Sequence, residues 1–352
     1  MIDQNPSYRS TANRVGWCLC IMVGMMYLTQ SVWSSLFQLF DPFLTWEGSF
    51  LVGTLVDTLS YLSYFMVPAI LFYPMSRKKS PAPIKCAVKV PATIPLFILG
   101  GMAVILIFAW INGILMQMIG YEYTASSLGT SDPEAIYLYI TVALAPAFCE
   151  EFLFRGVIYG NLRRYGLWSA TLISALLFAL MHQSISQTLY TFVAGIVMAL
   201  TYELTGSIWC STFLHMFNNL YSVVQEVIAA RLGPACYRKL NMADGIIIVL
   251  GLISMILLCL LAIHKLKKMC KAAEEEKARA EEANLTPAQD GCDRMTFGQV
   301  PCRLTPVPES GLTPDKISAK GFFAPGMIAF LVMALVTTVI DAAWGLGLFT
   351  GM

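Results

Sequence analysis

The sequence has little charge for its length. Charged residues make up 13% of the 352 residues, about half the share found in ordinary globular domains, whereas hydrophobic residues make up 57%. Nineteen of the 45 charged residues lie between Lys265 and Lys320, so the rest of the chain is poorer still. Such a chain cannot cover a water-soluble globule with polar surface, which predicts a polytopic membrane protein. The net charge of +1 gives no electrostatic basis for binding nucleic acid.

Paired cysteine motifs and a removable leader are also missing. The chain has ten cysteines but no CxxC pair, and those inside apolar runs are expected to be small buried residues: Cys18, Cys149, Cys210 and Cys259. The polar first 14 residues do not lead into a short apolar core with a cleavage site. The first apolar run is too long for a signal peptide and is expected to be a membrane anchor.

Common hydrolase signatures are absent as well. The sequence contains no HExxH zinc motif, no GxSxG nucleophile elbow and no GxGD motif of aspartyl membrane proteases. No repeat is visible of the kind that marks a solenoid or an inverted-repeat transporter. Chemistry must therefore be sought among ionisable groups within apolar helices, where such groups are energetically costly.

Nine segments approach the roughly 20 apolar residues that a bilayer-spanning helix needs. They are 15–38, 49–74, 92–119, 136–160, 167–184, 187–204, 207–228, 245–264 and 322–349. The predicted fold class is all-α, a polytopic transmembrane bundle of about eight core helices with a C-terminal ninth helix as an appendage. Basic and acidic loops alternate except after the seventh segment, which predicts a multi-pass protein of the cell membrane with a cytoplasmic N-terminus.

The fourth segment holds the densest group of charges, Glu150, Glu151 and Arg155. Glu151 and Arg155 have i,i+4 spacing with the acid first, so they should pair on one helix face. Glu150 lies about 100° around the helix and receives much less electrostatic stabilisation from the arginine. A carboxylate without its own cationic partner suits the role of general base. Pro146 leaves the carbonyl of Val142 without its helical donor and is expected to kink the helix. A buried ion network that only sets helix packing is the alternative.

The chain has three histidines. His264 starts a basic juxtamembrane run and is expected to be an ordinary interfacial residue, whereas His182 and His215 lie within apolar helices. At 1.5 Å per residue, Glu150, His182 and Asn219 lie about 20 Å along their helices from the predicted cytoplasmic ends, and His215 lies about 13 Å from its end. The spacing therefore predicts that these side chains can meet inside the membrane.

Three patterns resemble the motifs of the CPBP family of membrane proteases. They are EExxxR at 150–155, FxxxH at 178–182 and HxxxN at 215–219. Each pattern alone is weak, but all three occur in order within apolar helices, and 192–195 and 204–207 resemble further family features. The family contains the CAAX prenyl endopeptidases and the bacterial Abi proteins of bacteriocin processing or self-immunity. The resemblance covers about 136–222.

The resemblance implies an intramembrane endopeptidase, often classed as a metalloprotease, that cleaves near the C-terminus of a peptide or a prenylated, membrane-associated substrate. Glu150 and His182 would activate a water molecule, and His215 and Asn219 would donate to the oxyanion. The supporting residues would be Glu151, Arg155 and Phe178. No cofactor is required in this mechanism. The alternative is a zinc ion held by Glu150, His182 and His215 with one open position.

The expected partners are a peptide or lipidated protein substrate and the lipid bilayer, with no nucleic acid. Two other functions remain open: a non-catalytic bacteriocin self-immunity or scaffold protein of the same fold, and a transporter with Glu150 or Asp57 as a proton relay. Asp57 and Asp341 are expected to be packing or water-facing carboxylates. Glu203 and Glu226 lie near helix ends and are expected to reach the lipid headgroups.

The predicted organisation has five parts. Residues 1–135 would form the N-terminal transmembrane helices, 136–228 the CPBP-like protease core and 229–264 the eighth transmembrane helix. Residues 265–321 would be a charged, flexible cytoplasmic linker, and 322–352 the C-terminal transmembrane helix. Within the linker, the alternating charges of 271–283 predict a solvated helix, and the prolines and glycines of 284–320 predict no regular element.

Overall fold

The computed structural model describes residues 7–40, 46–77, 84–86, 92–122, 129–282, 296–297, 300–301 and 319–348. The first three helices are α1 (Tyr8–Phe40), α2 (Trp46–Arg77) and α3 (Ile94–Met118). A fourth helical rod follows, made of α4 (Asp132–Leu138), a π-helical turn (Tyr139–Leu144), α5 (Ala145–Glu151), a second π-helical turn (Phe152–Tyr159), α6 (Gly160–Leu162) and a 3-10 turn (Arg163–Tyr165).

Shorter connections join the helices of the second half. These are α7 (Leu167–Met181), α8 (Ile185–Thr205), α9 (Ile208–Leu232), a 3-10 turn (Gly233–Cys236) and α10 (Tyr237–Glu282). The chain ends with α11 (Ala319–Phe322) and α12 (Pro325–Gly345). Two strands, β1 (Thr296–Phe297) and β2 (Val300–Pro301), pair antiparallel with Thr296 opposite Pro301.

The nine predicted segments all coincide with helical stretches, which confirms an all-α polytopic membrane bundle. Within the described residues, seven helical segments are long and apolar enough to cross a membrane; one of them, Ile208–Lys268, contains both α9 and most of α10, and Leu167–Met181 is shorter. The helix predicted for 271–283 is confirmed as far as Glu282, where α10 ends, and its solvation stays a prediction. The orientation of the N-terminus stays a prediction.

The predicted linker has more regular structure than its prolines indicated. The prediction of no regular element in 284–320 is wrong for the four residues of β1 and β2 and for the start of α11 at Ala319. The other residues of that range lie outside the described part of the chain.

The C-terminal helix is not an appendage, so this prediction is also wrong. α12 packs along α1 and touches α7 and α8. Gly16 and Gly326 let the two backbones approach so closely that a Cβ at either position would clash with the other helix. Met327 and Phe330 of α12 are fully buried in the main hydrophobic core, which extends into α1, α2, the fourth rod, α7 and α8.

Large apolar side chains are exposed along α2, α10 and α12, as lipid-facing surfaces require. Cys18, Cys149 and Cys210 are buried as predicted, but Cys259 is exposed on α10, so its predicted burial is wrong. The cause is that an apolar run in a membrane helix faces lipid as readily as protein, and composition alone does not separate the two. The seven cysteines whose side chains the structure describes are unpaired.

Glu203 pairs with basic side chains of the protein, and its predicted reach to the lipid headgroups stays a prediction. It is buried at the cytoplasmic end predicted for α8, where Oε1 accepts from Arg163 Nε at 3.0 Å. Oε2 accepts from Lys85 Nζ at 3.3 Å and from the Tyr159 hydroxyl at 3.1 Å. The backbone around Lys85 is fixed in turn, since its carbonyl accepts from the Ile208 N–H at 2.9 Å. The cluster ties the α2–α3 connection to the α8–α9 turn.

Asp57 is a packing carboxylate, as expected. Its Oδ2 accepts a hydrogen bond of 2.6 Å from the Tyr137 hydroxyl, which links α2 to α4. The fourth rod is also fixed at its start by a capping box, in which Ser131 Oγ accepts from the Glu134 N–H and the Glu134 carboxylate accepts from the Ser131 N–H. These contacts set the rotation of the rod that carries Glu150.

Candidate active site

Glu150 and Glu151 are the last two residues of α5, between the two π-helical turns of the fourth rod. A π-helical turn has i→i+5 hydrogen bonds and occurs often at functional sites because it changes the direction of side chains locally. The winding changes from π to α at Ala145, one residue before Pro146, which has no N–H to donate. Local sequence thus places an irregular, proline-containing helix directly beside the two carboxylates.

Glu151 is the centre of a buried ionic group. Its Oε1 lies 2.9 Å from Arg155 Nη1, which confirms the predicted i,i+4 ion pair. The same oxygen accepts from Nδ1 of His215 on α9 at 3.0 Å. Because a carboxylate can only accept, this contact orients the imidazole and directs Nε2 away from Glu151. Glu151 therefore fixes both a cation on its own helix and a histidine from another.

Glu150 has fewer contacts than its neighbour. Its side chain is buried, with 5% of the residue exposed, and Oε2 lies 3.9 Å from His215 Nε2. That distance allows electrostatic attraction but exceeds a hydrogen bond. Within the described part of the chain, this buried oxygen has no hydrogen-bond partner. An unsatisfied carboxylate oxygen facing a histidine is an available proton acceptor.

His182 follows the last residue of α7 and is half-buried. Its Nδ1 lies 2.8 Å from the Phe178 carbonyl oxygen, which can only accept, so Nδ1 carries a hydrogen and Nε2 is left as an acceptor in the neutral ring. The Phe178 ring connects His182 to the ionic group. It makes edge contacts with His182 at 4.9 Å and with His215 at 5.9 Å, and the Arg155 guanidinium lies over it at 4.6 Å.

Asn219 contacts the fourth rod rather than the two histidines. Its Nδ2 donates to the carbonyl oxygen of Val142 at 3.0 Å, and its Oδ1 accepts from Asn218 Nδ2 at 3.1 Å. Val142 is the residue whose α-helical donor Pro146 removes, so the asparagine supplies a donor where the proline took one away. A primary amide has two N–H groups, which leaves one available for a ligand.

Gly195 completes the support around Arg155. Its carbonyl oxygen accepts from Arg155 Nη2 at 3.3 Å. A Cβ at Gly195 would lie 2.9 Å from the Cα of Ala175, so the glycine also permits α7 and α8 to cross closely. The sequence signalled Gly195 through a short family feature, but the use of its carbonyl as an acceptor for Arg155 has no sequence signature.

The structure thus brings five predicted residues into one contact group: Glu150, Glu151, Arg155, Phe178 and His215. His182 joins the group through Phe178, and Asn219 contacts the same rod two helical turns before the glutamates. The roles that the resemblance implies for these residues stay predictions.

The donor atoms of the alternative zinc site are too widely spaced for adjacent zinc ligands. Two ligands of one tetrahedral zinc ion lie about 3.3 Å apart when both bonds are about 2.0–2.1 Å. Glu150 Oε2 and His215 Nε2 are 3.9 Å apart, and the described residues contain no group of three or more His, Cys, Asp or Glu side chains placed to hold a metal. The three residues as arranged do not fit a zinc ion without moving.

The chemical capacity of the group follows from its parts. It contains a carboxylate oxygen without a hydrogen bond, a histidine held by a carboxylate, a second histidine with a defined tautomer and an amide with a spare donor. A carboxylate and histidines in one buried pocket can transfer protons, and directed N–H groups can stabilise negative charge. This combination suits the hydrolysis of a carbonyl compound.

Comparison with known proteins points to a membrane protease. Residues 132–221, which include all three motifs, match the family model of the Type II CAAX prenyl endopeptidase Rce1-like proteins. The resemblance predicted from the motifs is therefore confirmed. No solved structure matches the chain.

Two curated proteins are similar to this chain. The Putative membrane peptidase YdiL of Bacillus subtilis (strain 168) is 29% identical over 100 residues, which cover 28% of this chain and 41% of YdiL. The Membrane-embedded CAAX protease MroQ of Staphylococcus aureus (strain USA300) is 25% identical over 201 residues, which cover 53% of this chain and 80% of MroQ. The match to YdiL thus spans less than half of that relative.

Proposed function

We propose that this chain is an intramembrane endopeptidase that hydrolyses a peptide bond near the C-terminus of a peptide or a prenylated, membrane-associated protein. The proposal is supported by the family match over the segment that holds the site, and by relatives named as a membrane peptidase and a CAAX protease. The observation that carries it is the Glu150 carboxylate. This group is buried among membrane helices, and one of its oxygens has no hydrogen-bond partner among the residues that the structure describes.

Glu150 is proposed as the general base. A carboxylate with a free oxygen takes a proton from a water molecule, and the resulting hydroxide attacks the carbonyl carbon of the scissile peptide bond. The C–N bond then breaks, and the proton held by Glu150 passes to the leaving amine. His182 accepts a hydrogen bond from the same water through Nε2, because its Nδ1 is engaged by the Phe178 carbonyl.

His215 and Asn219 are proposed to stabilise the oxyanion of the tetrahedral intermediate. His215 donates through Nδ1 to Glu151, so Nε2 donates to an oxyanion when the ring is protonated. Asn219 donates through the N–H that Val142 does not use. The positive charge of Arg155 balances the negative charge of Glu151, whose carboxylate accepts the hydrogen bond from His215. This mechanism requires no metal ion, and it remains a proposal beside the zinc alternative.

The test uses purified full-length protein in liposomes and two synthetic peptides. One ends in a farnesylated Cys-aliphatic-aliphatic-Xaa sequence, and the other has the same sequence without the lipid. Mass spectrometry of the products identifies the bond that is cleaved. We expect cleavage by the wild type, faster for the lipidated peptide, and cleavage slower by about a hundredfold or more in Glu150→Gln.

The matched control is Glu226→Gln, the same chemical change in α9 outside the contact group. It should cleave as the wild type does. If Glu150→Gln retains full turnover, the proposed base is wrong. If the wild type binds both peptides and releases no product, and comparison of membrane proteomes with Glu150→Gln shows no lost cleavage, the chain is a binding protein rather than a protease.

A further inference from the structure

The turn after His182 has an unusual backbone. α7 ends at Met181 and α8 begins at Ile185, so three residues make the connection. Gln183 has a φ of +53°, in the left-handed region that residues other than glycine seldom adopt. Ser184 is the N-cap of α8, but its side chain makes no capping hydrogen bond. Such a turn keeps its shape only when surrounding structure holds it.

Asp341 of α12 supplies the missing cap. Its Oδ2 accepts from the Ile185 N–H at 2.9 Å and from Ser184 Oγ at 3.0 Å. The first N–H groups of a helix have no partner within it and form the positive end of the helix dipole, so a carboxylate there is stabilising. The cap comes from a residue 156 positions further along the chain. The Tyr121 hydroxyl adds longer contacts to the same carboxylate, at 3.3 and 3.4 Å.

Two other helices contact the turn through neutral groups. The Tyr27 hydroxyl of α1 donates to Gln183 Oε1 at 2.6 Å, and Asn112 Nδ2 of α3 donates to the Ser186 carbonyl at 2.5 Å. Asp341 differs from both because its hydrogen bonds are charge-assisted and therefore stronger. It also binds the backbone within three residues of His182.

We propose that Asp341 is a positioning residue for His182: it caps α8 from the C-terminal helix and so holds the turn that directly follows the imidazole at the end of α7. The inference rests on the proposed function, because it gives Asp341 a part in that reaction. It also makes α12, which follows the predicted linker, a structural component of the active site. Asp341 contacts no reacting atom and acts through the backbone of 183–185.

Three variants separate capping from general packing. Asp341→Ala removes both hydrogen bonds. Asp341→Asn keeps an oxygen that accepts both while it loses the charge. Asp341→Ala combined with Ser184→Asp supplies a capping carboxylate from the N-cap position itself. Tyr121→Phe is the matched control, because it removes a hydroxyl that contacts the same carboxylate and leaves the cap in place.

Cleavage of the farnesylated peptide gives the first readout. For Asp341→Ala we expect kcat to fall at least tenfold with KM changed less than twofold. Asp341→Asn should stay within about threefold of the wild type, Tyr121→Phe within twofold, and the double variant should recover most of the lost kcat. A folded Asp341→Ala with wild-type kcat, or a folded but inactive Asp341→Asn, overturns the inference. If Asp341→Ala does not fold, the double variant becomes the test. A double variant that folds but is inactive also overturns the inference.

Hydrogen exchange of the 182–188 backbone gives a second readout that needs no substrate. We expect exchange at least tenfold faster in Asp341→Ala than in the wild type, and near wild-type exchange in the double variant. Unchanged exchange in Asp341→Ala overturns the inference whether or not the protein is a protease. Absence of cleavage by the wild type together with the expected exchange pattern contradicts the proposed function and leaves the cap established.

Discussion

Two buried carboxylate clusters, one centred on Glu150 of the fourth rod and the other on Glu203 of α8, differ in how far their charges are satisfied. Glu203 accepts hydrogen bonds on both oxygens, from Arg163 on one and from Lys85 and Tyr159 on the other. Glu150 keeps one buried oxygen with no hydrogen-bond partner among the described residues. Both are glutamates in membrane helices, so burial of a charge does not by itself identify chemistry. Glu151 also has a buried oxygen without a partner, but its charge is paired with Arg155, so Glu150 is the carboxylate proposed to accept a proton.

The largest contrast should come from the same substitution in both clusters. Glu150→Gln removes the proposed base, so we expect peptide cleavage to fall by about 10²–10⁴-fold with little change in unfolding temperature. Glu203→Gln should leave the rate within about threefold of the wild type. Initial rates in liposomes and thermal unfolding in detergent measure the two effects. Equal loss of activity in both variants would contradict the claim that Glu150 takes part in the reaction and Glu203 does not.

The second prediction concerns Asn219 and separates the two chemistries. Without a metal, Asn219→Ala should lose roughly 3 kcal/mol of transition-state stabilisation, about a hundredfold in kcat/KM, and a chelator should have no effect. With zinc held by Glu150, His182 and His215, the chelator should abolish activity, and added zinc should restore it.

Two measurements make the Asn219 prediction specific. Asn218→Ala is the control for the neighbouring amide, because its removal leaves the bond from Asn219 to the Val142 carbonyl. The metal content of the purified protein must be determined in parallel, since a chelator can also disturb the bilayer. Stoichiometric zinc that disappears in His182→Ala together with activity would contradict the metal-free proposal.

A smaller effect is expected on the stability of the satisfied cluster. Glu203→Gln leaves Arg163 and Lys85 without their carboxylate, which should lower the free energy of unfolding by about 1–3 kcal/mol. The loss stays below that of a fully buried pair because the side chain of Lys85 is 36% exposed and that of Arg163 is 16% exposed. Chemical unfolding in detergent micelles measures the difference. An unchanged unfolding midpoint would show that the ion pairs contribute nothing net.

The smallest effect is expected from cutting the linker. A protease site inserted between Leu304 and Thr305 should allow cleavage of the chain with the peptidase rate within twofold of the wild type, because 284–320 are predicted to be dispensable for chemistry. The two fragments should purify together, since α12 packs on α1. Removal of 319–352 should instead lower activity by more than the tenfold expected for Asp341→Ala, because both Asp341 and the packing of α12 on α1 are then lost. Loss of activity after the cut alone would place the linker in the site.

Within single helices, the sequence predicted the site well. The i,i+4 spacing of Glu151 and Arg155 gave their ion pair, and that of Phe178 and His182 gave their ring contact. Pro146 marked the carbonyl of Val142 as lacking its helical donor. These predictions held because the helical repeat alone decides which side chains share a face.

Contacts between helices were harder to predict. No pattern in the sequence indicated that His215 would hydrogen-bond Glu151 and lie farther from Glu150, or that Glu203 would turn inward to Arg163. Asp341 was expected to be an ordinary packing or water-facing carboxylate. Its position at the start of α8 depends on how α12 crosses α1, which Gly16 and Gly326 permit but do not specify.

The sequence by itself determined the class of protein and the segment that carries the site. Low charge and long apolar runs require a membrane bundle, because lipid cannot satisfy polar backbone outside helices. Tertiary structure alone decided which buried charges are fully paired and which oxygen of Glu150 stays open. Those outcomes depend on the rotation and crossing of packed helices, which arise from the fit of many side chains together and not from the spacing of any few.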